Sequence, residues 1–148
     1  MWEGMVSMGK NGKIRFAVVG CGRIAYRHIE AIQANGNAEL VALCDLNMDR
    51  ARERNEMAQV ALYRNYHEML STEDIDAVCI MTPSGMHAEH AVDIIERYQK
   101  HVVIEKPMCL RTEDGESLLR TAAHHGVQIF VVHQNRFNKA VQKIKTAI

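Results

Sequence analysis

The sequence predicts an α/β domain built on a doubly wound parallel sheet. Short apolar runs alternate along the chain with longer segments whose apolar residues recur every three or four positions, so strands alternate with helices. A turn that contains two glycines joins the first apolar run, Ile14–Val19, to the first helical segment, residues 26–32. Parallel strands need right-handed crossovers through helices, so this alternation favours one sheet with helices on both faces.

The remaining elements follow from the same patterns and from the residues at their boundaries. Pro83 ends a strand because it has no N–H to donate to the ladder. Thr112 is predicted to cap the N-terminus of the fifth helical segment and Gly126 its C-terminus. Further strands are predicted at residues 40–44, 61–63, 76–81, 102–104 and 128–132, and further helical segments at 48–58, 67–70, 86–99, 112–125 and 138–148.

The turn after the first strand, residues 20–25, has the glycine spacing of a dinucleotide-binding loop. Gly20 permits the tight turn, Gly22 lets a pyrophosphate approach the backbone, and Ala25 lets the helix pack closely on the sheet. The N–H groups at the start of the helix then face the phosphates. An ordinary strand–turn–helix has the same spacing, so a second signal is needed. The candidate cofactor-binding residues here are Gly20, Cys21, Gly22, Arg23 and Ile24.

Asp45 supplies that second signal. It follows the second strand, 20 residues after Ala25, where a carboxylate accepts hydrogen bonds from the adenosine ribose hydroxyls of a bound dinucleotide. A carboxylate repels a 2′-phosphate, and the next two residues, Leu46 and Asn47, are not basic. The sequence therefore predicts NAD as the cofactor rather than NADP.

Two further strand ends carry polar residues at the edge where such sheets bind ligands. Thr82, Pro83 and His87 follow the fourth strand and are candidates for contacts with the cofactor's ribose and pyrophosphate. A solvent-facing position at the start of a helix is the alternative for His87.

Asn135 and Arg136 follow the sixth strand, within a run that reads Gln134 to Asn138. These side chains can bind a carboxamide or a sugar hydroxyl. The alternative is that the run only begins the last helix, which Asn138 can cap.

Glu105, Lys106 and Pro107 follow the fifth strand directly. A glutamate and a lysine at the end of a buried strand are expensive to bury without partners. Pro107 favours a fixed backbone and accommodates a cis peptide bond. A lysine beside a nicotinamide ring can protonate the oxygen of a carbonyl under reduction and act as a base in the reverse direction. Lys106 is therefore the candidate catalytic residue, with a surface Glu–Lys turn as the alternative.

The composition argues against several classes of protein. Basic and acidic residues both number 18, so the net charge is zero and neither nucleic acid nor an anionic membrane is expected as a partner. No stretch approaches the ~20 apolar residues of a membrane helix. Four cysteines without a CxxC pair fit reduced thiols in a cytoplasmic protein. His87 and His90 lack the further ligands of a metal site, so no metal is expected.

The chain shows no internal repeat and no linker, which favours one domain over residues 14–137. Residues 1–13 lack the apolar segment of a secretion signal and are expected to form a flexible leader.

Taken together, these motifs resemble the glucose–fructose oxidoreductase, inositol dehydrogenase and MocA family of NAD(P)-dependent sugar oxidoreductases. The resemblance implies a Rossmann fold, Lys106 as the catalytic lysine and Glu105 as a ligand of the nicotinamide ribose. The loop at residues 20–25 and Asp45 would take the pyrophosphate and the adenosine ribose. The motifs that carry it are residues 19–25, Asp45, residues 82–87, residues 105–107 and residues 134–138, in this order along the chain.

The same resemblance implies the reaction and its substrates. A hydride would pass between nicotinamide and a secondary alcohol or ketone of a sugar. The run at residues 134–138 is similar to members that act on nucleotide sugars, including those that oxidise the 3-hydroxyl in surface-polysaccharide biosynthesis. Family members continue into a second α/β domain, which supplies a catalytic histidine, most substrate contacts and the oligomer interface. Residues 138–148 are therefore expected to begin the connection to that missing domain. The chain is expected to be inactive without that domain, and the full-length protein is expected to be a homo-oligomer.

Two other functions share parts of this pattern. A Rossmann domain can bind NAD(H) as a non-catalytic module, although Glu105 and Lys106 argue against this. A methyltransferase also uses a glycine loop and an acidic second strand end. Its loop usually follows an acidic residue, whereas apolar residues 17–19 precede Gly20 here.

Overall fold

The structure, a computed structural model, describes residues 12–147, so most of the leader predicted at residues 1–13 lies outside the described residues. Strands and helices alternate along the chain as expected. The elements are β1 (Ile14–Val19), α1 (Ala25–Ala34), β2 (Ala38–Cys44), α2 (Met48–Ala58), β3 (Ala61–Tyr63), α3 (Tyr66–Thr72), β4 (Ala77–Ile80), α4 (His87–Tyr98), β5 (His101–Ile104), α5 (Thr112–His125), β6 (Ile129–Val131) and α6 (Lys139–Ala147), with 3-10 turns at Ser84–Met86 and Gln134–Phe137.

All six strands are parallel and form one sheet in the order β3-β2-β1-β4-β5-β6. The strand order reverses between β1 and β4, which is the point where doubly wound sheets bind their ligands. The register aligns the carboxyl ends of the central strands, since Val19 pairs with Cys44 and Ile80, and Ile80 pairs with Ile104. The residues that follow these four strands therefore meet at one edge. The predicted fold class is confirmed.

Helices cover both faces of the sheet and bury two apolar clusters. Val18, with its side chain on one face, packs in a cluster with Ile29 of α1 and Ala51 of α2. On the other face, Val19 belongs to a cluster that includes residues of α3, α4 and α5. A fully buried side chain such as Ile29 stabilises the fold by roughly 1.5–3 kcal/mol through removal of its surface from water.

The helix boundaries confirm one predicted cap and correct another. Gly126 caps the C-terminus of α5 at a φ of 65°. The prediction for Thr112 is wrong, because Thr112 is already helical and Arg111, in extended backbone, takes the N-cap position. The helix starts there because the Arg111 carbonyl accepts the first helical hydrogen bond, from Gly115 N at 3.3 Å.

Several predicted elements are shorter in the structure. The fourth helix begins at His87 rather than at residue 86, because Met86 N donates to the Pro83 carbonyl and closes a 3-10 turn first. Asp76 lies outside the fourth strand, and its carboxylate accepts a hydrogen bond from Arg15 N at 2.7 Å. Asn138 accepts one from Ala140 N at 2.9 Å, so it does cap the last helix.

In the part of the chain that the structure describes, no helix is both long enough and apolar enough to cross a bilayer.

Candidate functional site

The glycine turn between β1 and α1 is shaped by the close approach of β4. Gly20 has a φ of +96°, a conformation that side chains disfavour. A Cβ at this position would lie 2.6 Å from the carbonyl carbon and oxygen of Met81. Gly20 N also donates to the Cys44 carbonyl at 2.8 Å, so the turn is tied to β2. Only glycine fits this position without displacing backbone.

The two other features of the turn leave room for a bound group. A Cβ built at Gly22 would meet nothing within 4 Å, so the backbone is open on that side. Among the described residues no side chain caps α1 at Ile24, as is also true of α4 and α5, whereas Asn47 and Asn65 cap α2 and α3. The first N–H groups of a helix need external acceptors when no side chain caps them. An open backbone beside an uncapped helix end fits a diphosphate.

Asp45 joins this turn to the loop after β2. Its Oδ2 accepts a hydrogen bond from Cys21 N at 2.7 Å, and its Oδ1 accepts one from Asn47 N at 2.7 Å. Each carboxylate oxygen has a second lone pair, so Asp45 can still accept hydrogen bonds from ribose hydroxyls. The Asp45 carboxylate thus fixes the glycine turn beside which it is expected to bind the ribose.

The thiol beneath the turn is inert. Burial raises the pKa of the Cys21 thiol to about 12, and the negative charge of Asp45 adds to this rise while Arg54 opposes it. Burial likewise raises the pKa of Cys44 to about 12. Both side chains therefore stay protonated near neutral pH, and Cys21 Sγ lies 3.7 Å from the Cys44 carbonyl oxygen as a weak donor.

A cleft of about 630 Å³ lies beside the glycine turn, at the point where the strand order reverses. Its volume is within the range of small-molecule sites. It is lined by five of the predicted site residues, namely Gly20, Gly22 and Asp45, with Thr82 and Pro83 on the β4 side. Its other lining residues include Leu46, Asn47, Arg50, Arg64, Asn65, Tyr66, His67, Met86 and His90.

The side chains at the β3 side of the cleft were not predicted. Arg64, Asn65, Tyr66 and His67 follow β3 directly, so the rule that ligands bind beyond the carboxyl ends of strands covers them as well. Two guanidinium groups, those of Arg50 in α2 and Arg64, therefore line the same cleft as the carboxylate of Asp45.

A polar network supports the wall made by α3 and α4. Tyr66 donates to Asp93 Oδ2 at 2.9 Å, and Thr82 Oγ1 lies 3.0 Å from His90 Nδ1. Burial is the main cause that lowers the pKa of His90, so its ring is neutral at pH 7. Burial also raises the pKa of Tyr66, with the hydrogen bond to Asp93 adding to the rise.

His87 lies elsewhere than the cofactor contact predicted for it. Its side chain is 2% exposed, and it is absent from the lining of the cleft. Nε2 lies 2.7 Å from the Thr82 carbonyl oxygen and Nδ1 lies 2.7 Å from the Pro107 carbonyl oxygen. Both ring nitrogens are thus used inside the protein. The solvent-facing alternative does not hold either, and the geometry points to a residue that joins two loops of the site.

Glu105 and Lys106 follow β5 and differ sharply in exposure. Glu105 is 7% exposed, and its Oε1 lies 2.9 Å from Nε2 of His28, a residue of α1 that was not predicted. Its Oε2 accepts a hydrogen bond from Lys106 N at 3.2 Å. Lys106 itself is exposed, and the bond between Lys106 and Pro107 is cis. The Lys106 side chain therefore lies at the surface, while its backbone N–H is bound to the buried carboxylate of Glu105.

Apart from the buried His87, the predicted site residues fall into two groups. The first comprises the five that line the cleft together with Cys21, Arg23 and Ile24, which belong to the same glycine turn but not to the lining. Glu105, Lys106, Asn135 and Arg136 lie outside its lining, and Asn135 and Arg136 are exposed in the 3-10 turn after β6. The cleft suits the adenosine half of a dinucleotide, and the second group lies at the ends of the strands beyond it. Within residues 12–147 no group of three or more His, Cys, Asp or Glu side chains is placed to hold a metal ion.

Comparison with known proteins shows which family the chain resembles over most of its length. A family model described as an oxidoreductase family with an NAD-binding Rossmann fold, the GFO/IDH/MocA model, matches residues 14–133. Myo-inositol 2-dehydrogenase of Thermotoga maritima is 30% identical over 136 residues, which cover 91% of this chain and 40% of that protein.

Two solved structures are similar as well. The WlbA dehydrogenase from Bordetella pertussis, in complex with NADH and UDP-GlcNAcA, is 40% identical with a TM-score of 0.86, over 91% of this chain and 41% of its own. The WlbA dehydrogenase from Chromobacterium violaceum, also in complex with NADH and UDP-GlcNAcA, is 36% identical with a TM-score of 0.89, over 99% of this chain and 42% of its own.

The chain thus spans about 40% of the length of the relatives that it matches. The resemblance that the motifs indicated is confirmed, and the residues around the cleft fit the cofactor that the family binds. The chain belongs to the glucose–fructose oxidoreductase, inositol dehydrogenase and MocA family of oxidoreductases, and it is an NAD-binding Rossmann domain of that family.

Proposed function

We propose that this chain is the cofactor-binding part of an NAD-dependent dehydrogenase that acts on a secondary alcohol or ketone of a sugar or nucleotide sugar. The observation that carries the proposal is the pair after β5, in which a buried and held Glu105 precedes an exposed Lys106. One relative is named as a myo-inositol 2-dehydrogenase and another is a dehydrogenase in complex with UDP-GlcNAcA, which supports the same class of substrate.

The cofactor-binding residues are assigned by their place on the sheet edge. The backbone of the glycine turn receives the diphosphate, since Gly20, Cys21, Gly22, Arg23 and Ile24 surround the open and uncapped start of α1. Positive charge from the helix end favours that anion by about 0.3–1 kcal/mol.

The remaining contacts extend along the same edge. Asp45 receives the adenosine ribose hydroxyls, and Thr82 and Pro83 border the same cleft. Glu105 receives the ribose of the nicotinamide half. Asn135 and Arg136 are exposed beyond the last strand and are assigned to the nicotinamide end of the cofactor, where they can bind its carboxamide or a sugar hydroxyl.

Lys106 acts on the substrate oxygen. Bound NAD supplies the carbon that accepts or returns the hydride. During oxidation of an alcohol, Lys106 takes the proton from the hydroxyl, and during reduction it returns a proton to the oxygen. A positioned general acid or base typically contributes 10²–10⁴-fold to the rate, roughly.

A nucleotide sugar is the favoured substrate. The two WlbA relatives were crystallised with UDP-GlcNAcA. A place in surface-polysaccharide biosynthesis rests on the resemblance of residues 134–138. Residues 14–137 would form the cofactor domain and residues 138–148 would lead into a substrate domain, in a cytoplasmic homo-oligomer. The four cysteines are free thiols, which fits a reducing compartment.

The test is turnover in the protein that carries this domain together with its substrate domain, followed at the absorbance band of reduced nicotinamide. UDP-GlcNAcA and myo-inositol are the first substrates to compare. Lys106→Ala is expected to lower turnover by roughly 10²–10⁴-fold while NADH still binds. Lys100→Ala is the matched control, because Lys100 lies at the opposite end of the same strand. Unchanged turnover in Lys106→Ala would remove the catalytic role.

A non-catalytic NAD(H)-binding module is the second candidate. One observation favours it, namely that Lys106, the catalytic candidate, is not among the residues that line the cleft. The two functions separate in a single-turnover assay. A module binds NAD with every candidate sugar present and shows no gain of the reduced-nicotinamide absorbance, whereas a dehydrogenase forms NADH as it oxidises the sugar hydroxyl.

A further inference from the structure

We propose that His28 is a positioning residue for Glu105 and, through it, for the backbone of Lys106. This inference rests on the proposed function, because it concerns the nicotinamide end of the same site. His28 lies on α1, one turn after the glycine turn, and Glu105 lies 77 residues later at the end of β5. The contact therefore links the helix that receives the diphosphate with the loop that carries the lysine.

The contact is short and shielded. His28 Nε2 lies 2.9 Å from Glu105 Oε1, and the two side chains are 14% and 9% exposed. A carboxylate only accepts hydrogen bonds, so the ring nitrogen donates. The second oxygen, Oε2, accepts from Lys106 N at 3.2 Å. The carboxylate is thus held at both oxygens, and one lone pair remains on each oxygen for a further donor.

The fold does not depend on this pair for its anchoring. The backbone at the end of β5 is already tied to β4, because Glu105 N donates to the Ile80 carbonyl at 3.2 Å. Helix α1 is held by its apolar face, where Ala25 and Ile29 are fully buried. Buried polar pairs of this kind add little net stability compared with apolar packing. What the pair does determine is the direction of the Glu105 carboxylate.

That direction matters because of the neighbouring charge. A glutamate released from His28 can turn outward and pair with the ammonium of Lys106, which would occupy both groups. His28 holds the carboxylate on the buried side and leaves the lysine free. On the other side, His87 Nδ1 contacts the Pro107 carbonyl oxygen at 2.7 Å, so Lys106 lies between two held residues.

The test measures NADH and ADP binding to the chain in parallel, by titration. ADP keeps the adenosine and the diphosphate but lacks the nicotinamide riboside. His28→Leu fills a similar volume without a donor, and His28→Gln restores a donor. His28→Leu is expected to weaken NADH binding about tenfold, the order of effect of a misdirected hydrogen bond to a charged group, and to leave ADP binding unchanged. His28→Gln is expected to bind NADH within about twofold of the unaltered chain.

A double variant decides whether His28 acts through Glu105. Glu105→Ala combined with His28→Leu is expected to bind NADH no more weakly than Glu105→Ala alone, since the two losses share one contact. His124→Leu is the matched control, because His124 is exposed on α5. Equal weakening of NADH and ADP by His28→Leu, full additivity in the double variant, or no change at all would overturn the inference.

The outcome is independent of the catalytic assignment. Failure of the proposed function appears as unchanged turnover in Lys106→Ala, whereas failure of this inference appears in the binding ratio of NADH to ADP.

Discussion

The carboxylate of Asp45 accepts a hydrogen bond from the backbone N–H of Cys21 at 2.7 Å, so the residue expected to bind the cofactor's ribose also holds the loop expected to bind its diphosphate. The two sites are therefore coupled. A ribose that engages Asp45 meets a carboxylate whose position is already set by the glycine turn.

Asp45→Ala is expected to weaken NAD binding by about tenfold or more, because it removes the ribose acceptor and leaves Cys21 N without its partner. Discrimination against NADP is expected to fall as well, since the charge that repels the 2′-phosphate is gone. Titration with both cofactors measures this. Asp49→Ala, an exposed acid at the start of α2, is the control. An unchanged NAD to NADP ratio in Asp45→Ala would contradict the assignment.

Three glycine variants separate folding from binding. Gly22→Ala meets open space and is expected to change the free energy of unfolding by less than about 1 kcal/mol, yet to lower NADH affinity at least about tenfold. Gly36→Ala also meets open space and is expected to change neither. Gly20→Ala is expected to cost at least about 2 kcal/mol of stability, because its Cβ would contact the Met81 carbonyl from a φ of +96°.

Denaturant unfolding measures the change in stability of each glycine variant, and a separate titration measures its affinity for NADH. Tight NADH binding by Gly22→Ala would show that the diphosphate lies elsewhere.

Stability is expected to fall as the pH drops below about 6.5, with His90 as one cause. Burial lowers the pKa of His90; Glu89 and Asp93 act against this, while His87 and His67 add to it. A folded state that binds the proton more weakly than the unfolded chain loses stability as the pH falls through the unfolded pKa, and the loss is complete below the folded pKa.

His90→Asn is expected to flatten this part of the pH profile, and His124→Asn is not. Unfolding midpoints between about pH 5 and pH 8 give the comparison. Identical profiles for the unaltered chain and His90→Asn would show that His90 does not contribute.

The cysteines are expected to differ in reactivity. Burial raises the pKa of Cys21, Cys44 and Cys79 to about 12, so few of these thiols ionise near pH 8. Cys109 is only partly buried. Iodoacetamide followed by peptide mass spectrometry should label Cys109 first in the native chain and all four after denaturation. Early labelling of Cys21 would contradict the buried position of the turn.

Much of the fold could be predicted because its signals are local. The apolar runs, the glycine spacing at residues 20–25 and the left-handed cap at Gly126 each depend on neighbours in sequence. The prediction that Thr112 is the N-cap of α5 was wrong because it too used only local sequence, in which a threonine precedes acidic residues as it does at many N-caps. Arg111 is the N-cap instead, because the backbone is still extended at Arg111 and becomes helical at Thr112.

The site was predicted less completely, because its contacts join distant parts of the chain. Nothing near His28 indicates that its partner is Glu105, and nothing near His87 indicates that it contacts two carbonyls. Arg64 to His67 could have been found, since they follow a strand. That strand has only three residues, so its sequence signal is weak and the loop that follows it was not predicted as a ligand site.

The start of α1, which no side chain caps among the described residues, is where the cofactor's diphosphate is expected to bind, so cofactor binding and folding are linked. A ligand that binds only the native state stabilises it by RT ln(1 + [L]/Kd), which is about 2.7 kcal/mol at a hundredfold excess over Kd. The melting temperature of this domain should then report the NAD concentration around it. In a cell whose dinucleotide pool is depleted, the empty domain would open more often and be degraded sooner than the loaded one.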